Sequence, residues 1–263
     1  MQKQSDYANV VRLSTALLLF GLAAPAPAET PALPCAGARI EFPAVGAEPS
    51  IRIFKGTDLA GWKAPACTGW PAEKFEFIGT IAASFRHNGD ATELARRYGA
   101  ISEYAAMRYF SPSRGAWREL SFEAFALRDV NPANKRGDFA PAELAAGTPR
   151  YFWQRGATEA PSPFPGSIDL VNRIAVLERS PDRVVVAVTS EPGTVAVVMR
   201  LARGDLRVVY FLDRDENARD VWRYFAVTSL AGLFALGADN FYRASARGVF
   251  RHTAGLRAEL RAP

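Results

Sequence analysis

Histidine is almost missing from this chain: 263 residues contain two, His87 and His252. Cysteine is equally scarce, with Cys35 and Cys67 alone. A serine or cysteine nucleophile needs a histidine base beside it, so a catalytic triad has little to be built from. Two cysteines and two distant histidines match no zinc-ligand spacing. No Gly-x-Ser-x-Gly elbow and no phosphate-cradling glycine loop occurs, and no motif implies a cofactor. Lysine is rare too: Lys3, Lys55, Lys63, Lys74 and Lys135 stand among 32 basic residues. The net charge of +5 is spread thinly, with no block of five or six like charges, which argues against nucleic acid as a partner. Long apolar runs are lacking as well. The two candidates, Leu13–Ala24 and Tyr224–Ala238, are shorter than the roughly 20 residues a membrane-spanning helix needs.

The first of those runs reads as an export signal. Lys3 and Arg12 supply the positive leader, and Ala26-Pro27-Ala28 offers small residues where a signal peptidase cuts, so cleavage is expected between Ala28 and Glu29. Leu33-Pro34-Cys35 puts proline where a lipoprotein needs a small residue, which removes a lipid anchor at Cys35. Export implies the periplasm, and an oxidising compartment usually joins a lone cysteine pair into a disulfide. Closing the Cys35–Cys67 loop should contribute about 3–4 kcal/mol by the loop-entropy model. The expected organisation is a signal peptide (1–28), a proline-rich arm pinned by the disulfide (29–72) and a single α+β domain (73–263).

Within the arm, six prolines from Pro31 to Pro71 favour extended chain, and Ile51–Phe54 is the best strand. Glu73–Arg86 is β-rich and ends at the turn His87-Asn88-Gly89, which places His87 in solvent. Asp90 and Glu93 form a capping box. Leu94, Tyr98, Ile101 and Ala105 then follow at helical spacing, with Gly99 a break or a close backbone contact. Trp117–Arg128 reads as one strand, Pro141 starts a short helix, and Tyr151–Gln154 is a further strand. Five strands follow at 167–179, 183–190, 194–202, 206–213 and 221–229, joined by turn chemistry such as Ser180-Pro181-Asp182. A last helix, capped by Asp239, runs to about Leu256. The expected fold is α+β: a curved antiparallel sheet of about six to eight strands gripping a long C-terminal helix. That element order resembles the START-like helix-grip shape.

Glu119 and Glu123 would lie on one strand face about 13 Å apart, too far for the acid and base of a glycosidase at about 5–9.5 Å. Tyr224–Ala238 carries no charge, and reads as a last core strand with an apolar loop, as a lid, or as a patch touching a membrane. In the last helix Arg243, Arg247 and Arg251 form one basic stripe, either a solvated face or a dock for an anionic lipid or acidic partner. Trp117, Glu123, Tyr224, Phe225, Phe234 and Phe241 are the candidate ligand or lid residues.

The strings Cys67-Thr68-Gly69-Trp70, Tyr98-Gly99-Ala100-Ile101-Ser102, Arg136-Gly137-Asp138-Phe139 and Leu177-Glu178-Arg179-Ser180-Pro181-Asp182-Arg183 resemble a family of exported proteobacterial proteins of unknown function. So do Asp220-Val221-Trp222-Arg223-Tyr224 and the stretch from Tyr242 to Gly255. The resemblance implies an envelope location and this order of elements, and transfers no catalytic residue. The expectation is a periplasmic protein, not an enzyme, that binds an apolar or amphipathic, lipid-like small molecule in a cavity under its C-terminal helix. The rivals are an envelope interaction or scaffold protein with a filled core, and an enzyme acting on envelope glycans.

Overall fold

A computed structural model describes residues 30–112, 114–144, 147–157, 167–196, 199–232, 235 and 237–256. The expected cleavage site at Ala28 and Glu29, and Phe234, lie outside the described residues. Along the chain come β1 (Ser50–Lys55), β2 (Phe77–Arg86), α1 (Ala91–Gly99), β3 (Arg108–Ser111), β4 (Ala116–Glu119), β5 (Ser121–Leu127) and β6 (Lys135–Arg136). Then follow β7 (Arg150–Ala157), β8 (Ser167–Ser180), β9 (Arg183–Ser190), β10 (Gly193–Ala196), β11 (Met199–Leu201), β12 (Leu206–Arg214), β13 (Val221–Leu230) and α2 (Ala238–Ala254). Nine strands form one sheet in the order β1-β2-β13-β12-β9-β8-β7-β5-β6, and every pairing in it is antiparallel. The fold class is therefore α+β on a large antiparallel sheet, with more strands than the six to eight expected.

The sheet is covered on one face by helices and on the other, over β2, β13, β12 and β9, by the arm. On one, which we call the helix face, Ile81, Phe85, Val184, Val186, Leu212, Trp222 and Tyr224 pack with Leu94 and Tyr98 of α1 and Phe250 of α2. On the other, the arm face, Ile78, Val185, Val209, Phe211, Phe225 and Val227 meet Leu33, Ile40, Phe42, Leu59, Trp62 and Trp70 of the arm. Each large apolar side chain buried this way contributes about 1.5–3 kcal/mol. The disulfide joins Cys35, ahead of β1, to Cys67, between β1 and β2, with the Cα atoms 6.1 Å apart. The indole of Trp62 donates to the carbonyl of Pro31 at 3.0 Å, a second tie between the same two segments.

Helix α1 starts where its capping chemistry sits: the Asp90 side chain accepts from the Glu93 amide at 2.9 Å. It stops at Gly99 because the backbone at Phe139, past β6, presses there. A Cβ on Gly99 would lie 2.7 Å from the Phe139 carbonyl, and the Phe139 amide donates to the Gly99 carbonyl at 3.0 Å. The expected apolar spacing continues past that break as a 3-10 turn, Ile101–Ala106. Helix α2 is preceded by Gly237, so Asp239 falls in its first turn instead of capping it. It ends on Gly255 at φ 71°, a left-handed conformation that favours glycine.

Two strands differ from their sequence reading. Trp117–Arg128 is divided at Leu120, whose amide donates to the Met107 carbonyl at 2.9 Å, so β4 pairs with β3 while β5 joins the main sheet against β7. Residues 194–202 do not add a strand to the meander; β10 and β11 pair only with each other.

Candidate functional site

The candidate ligand residues do not converge. Tyr224 and Phe225 are neighbours on β13, so their side chains leave opposite faces of the sheet, Tyr224 into the helix-face core and Phe225 into the arm-face core. Neither belongs to a lid; both are strand residues of a doubly covered sheet, and that burial is why the sequence around them is free of charge. Trp117 packs on Phe110 at 5.8 Å between ring centroids, with the Arg251 guanidinium 5.5 Å from its own ring. Phe241 packs edge-on against Tyr109 at 5.7 Å. These contacts fasten the β3–β4 hairpin to α2. Glu123 is exposed and lies 3.6 Å from Lys135. Glu119, now on another strand, lies 3.8 Å from Arg108. Both carboxylates thus take the arginine- or lysine-paired role of surface charges.

The basic stripe of α2 is used internally. Arg243 donates to the Ile51 carbonyl at 3.2 Å, and Arg247 meets Glu48 at 3.3 Å. The stripe holds the sheet's β1 edge and the arm.

Under α2, aromatic rings occupy the space between helices and sheet. Tyr98 lies 5.1 Å from Tyr210, Tyr210 lies 6.2 Å from Tyr224, and Tyr224 lies 5.2 Å from Phe250. Tyr104 packs edge-on to both Phe152 and His252. Burial pushes the phenols of Tyr98, Tyr104, Tyr210 and Tyr224 up, so they are neutral packing groups at physiological pH.

His87 is not in solvent. Its side chain is 8% exposed and lies 3.7 Å from a Glu93 oxygen. Arg97, which can only donate, contacts Nδ1 at 3.4 Å, placing the ring proton on Nε2. Burial and then the Arg97 charge hold its pKa below the ordinary value. Arg97 also donates to the Thr253 carbonyl at 2.6 Å, so this cluster ties the end of β2 to α1 and to the end of α2.

A groove of about 340 Å³ lies on the arm face instead. Val185 and Phe211 form its apolar floor, the Cys35–Cys67 bridge forms one wall, and Leu177, Glu178 and Arg183 form the other. A bulge in β8 between Val176 and Glu178 turns Leu177 outward, leaving it 39% exposed at the rim. Arg183 donates to Glu178 through Nε at 2.9 Å and to Asp213 through Nη1 at 2.6 Å. Burial raises the Asp213 pKa, the Glu178 charge adds to that, and Arg183 opposes it. The Arg183 pKa is raised despite burial because Asp213 and Glu178 outweigh it. Sequence spacing could not assemble this site from β8, β9, β12 and two parts of the arm. One signal was available: Leu177, Glu178 and Arg183 all fall in the string Leu177–Arg183 quoted above.

Among the described residues, no group of three or more His, Cys, Asp and Glu side chains could hold a metal ion. No helix among them is long and apolar enough to cross a membrane.

Fold and groove define an α+β protein with a nine-stranded antiparallel sheet covered by helices on one face and by a disulfide-tied arm over half of the other. No family model matches the chain, and no curated protein does. Among solved structures, an uncharacterized protein from Rhizobium leguminosarum is similar over 79% of this chain and 96% of its own, at 10% identity and a TM-score of 0.34, too distant to bear on function.

Proposed function

We propose that this chain is an exported, periplasmic binding protein, not an enzyme, that takes a small amphipathic molecule of the cell envelope. The observation that carries the reading is the groove of about 340 Å³ between the arm and the sheet, apolar at its floor and charged along one wall. Ligand sites are typically concave, mostly apolar and furnished with a few polar groups, over roughly 300–1,000 Å³. At the low end of that range the groove suits a single-chain molecule. The site therefore moves from beneath α2, where tyrosines and Phe250 pack, to the opposite face. The disulfide is what an oxidising compartment would preserve, in keeping with export by the leader read from residues 1–28. α2 lying on the same face as α1 agrees with a helix-grip-like arrangement.

Native mass spectrometry of the protein purified from periplasm, with thermal shift against single-chain amphiphiles, tests the reading. We expect a bound small molecule and a stabilising shift that Leu177→Trp reduces by filling the rim. A ligand-free spectrum together with no shift from any amphiphile would leave the interaction-protein reading in its place.

A further inference from the structure

We infer that the groove prefers amphiphiles with a cationic head group, an alkylammonium over a fatty acid. This deepens the binding reading proposed above and rests on it.

The preference follows from how the charges at the groove wall are shared. Two carboxylates, Glu178 and Asp213, converge on the one guanidinium of Arg183, at 2.9 and 2.6 Å. The next cation along the sheet, Arg223, is committed elsewhere: it meets Asp215 through Nε at 2.8 Å and through Nη2 at 2.6 Å. Its guanidinium also lies 5.6 Å from the Phe42 ring. Arg223 also stands opposite Asp213 across β12 and β13, so the row as a whole holds three carboxylates, Glu178, Asp213 and Asp215, against two guanidiniums, with one carboxylate in excess. Burial raises the Asp213 pKa, and Glu178 adds to that while Arg183 and Arg223 oppose it.

An anionic head would find only the N–H groups of Arg183 that Glu178 and Asp213 leave over. The remaining lining residues named for the groove, Cys35, Cys67, Leu177, Val185 and Phe211, carry no charge, and Arg183 already serves two carboxylates. A fatty-acid carboxylate held by those remaining N–H groups would put three negative groups around one positive. An ammonium has the opposite effect. Placed beside Glu178, whose side chain is 53% exposed and reachable, it completes a two-against-two arrangement while its chain lies on Val185 and Phe211. The whole chain carries a net charge of +5, which at long range attracts anions. A preference for a cation can then only come from the local carboxylates.

The test uses the full disulfide-bonded protein and three probes with the same twelve-carbon tail, each below its micellar concentration: dodecyltrimethylammonium, dodecyl maltoside and dodecanoate. Isothermal titration should rank them in that order, with the cation at least about tenfold tighter than the anion. Glu178→Gln should cut that ratio to about threefold or less, a change that a uniform loss of binding would not produce. Dodecanoate binding as tightly as the cation would overturn the inference and leave the groove as a binding site. So would a preference that survives Glu178→Gln. If no probe binds, the binding reading itself fails and this inference with it.

Discussion

The two halves of the large sheet share one helix-covered face and differ entirely on the other. Across β2, β13, β12 and β9 the outer face is Ile78, Phe225, Val227, Val209, Phe211 and Val185, buried beneath the arm. Across β8, β7, β5 and β6 the same face presents Asp169, Arg155, Glu123 and Lys135, arranged as the ion pairs Arg155–Asp169 and Glu123–Lys135. Its aromatics survive there by a different device. Phe125 stacks on Trp153 at 4.6 Å, with the Lys135 ammonium 3.8 Å from one ring and the Arg155 guanidinium 5.0 Å from the other. A face covered by chain needs no charges; a face met by water uses them as its cover. The groove lies where the two regimes meet, with Val185 and Phe211 belonging to the covered half and Glu178 opening the other.

Truncating a residue of the covered half should show the largest effect. Phe211 is 1% exposed beneath the arm, and Phe211→Ala should lower unfolding free energy by about 3–5 kcal/mol in urea titration. Phe125→Ala in the water-facing half should cost well under half of that. Equal losses would show that the arm contributes little to burial. Next in size is the tie that holds the cover on. Cys35→Ser with Cys67→Ser should cost about 3–4 kcal/mol, and limited proteolysis should then cut first in residues 30–49. If cleavage instead began in β7 or β5, the arm would be held by its apolar contacts alone.

A smaller effect should appear with pH. His87 and His252 both sit below the ordinary 6.5 in the fold, burial being the first cause for each, while the unfolded chain returns them to that value. Between the lowered pKa and 6.5 the unfolded state binds more protons, so stability is flat above about pH 6.5 and falls as pH drops below it. Urea midpoints measured from pH 7.5 to 5.5 should therefore decline, and His87→Gln with His252→Gln should flatten that slope. An unchanged slope would place the loss on other groups.

The sequence is legible where the deciding interactions are local. The Asp90–Glu93 cap fixed the start of α1, Gly99 its end, and Ser180-Pro181-Asp182 the turn between β8 and β9. It is opaque wherever a second layer decides the outcome. Alternation along a strand shows which face is apolar but not what lies over the other face. Tyr224–Ala238 is therefore open to three readings, a core strand with an apolar loop, a lid or a membrane patch, and its first seven residues bear out the first, completing a central strand buried on both sides. His87 sits in turn chemistry, but Arg97, Glu93 and the Trp222 ring 6.3 Å away enclose it, contacts that turn chemistry does not reveal. The groove was beyond reach for the same reason. Its wall is a disulfide and its floor two strands, and no spacing rule links Cys35 to Phe211.

The smallest expected effect lies in the water-facing half and checks whether its charges act as cover or as structure. Glu123 and Lys135 are 3.6 Å apart with half or more of each side chain in solvent, a geometry worth no more than about 0.5 kcal/mol. Glu123→Gln should accordingly leave the urea midpoint almost unchanged. Lys135 also lies over Phe125, so Lys135→Gln removes a cation–π contact as well and should cost slightly more, up to about 1 kcal/mol. The order of the two variants is the informative quantity. If Glu123→Gln proved the more damaging, the lysine would be held chiefly by its carboxylate, and the stacked Phe125–Trp153 pair would need some other shield from water.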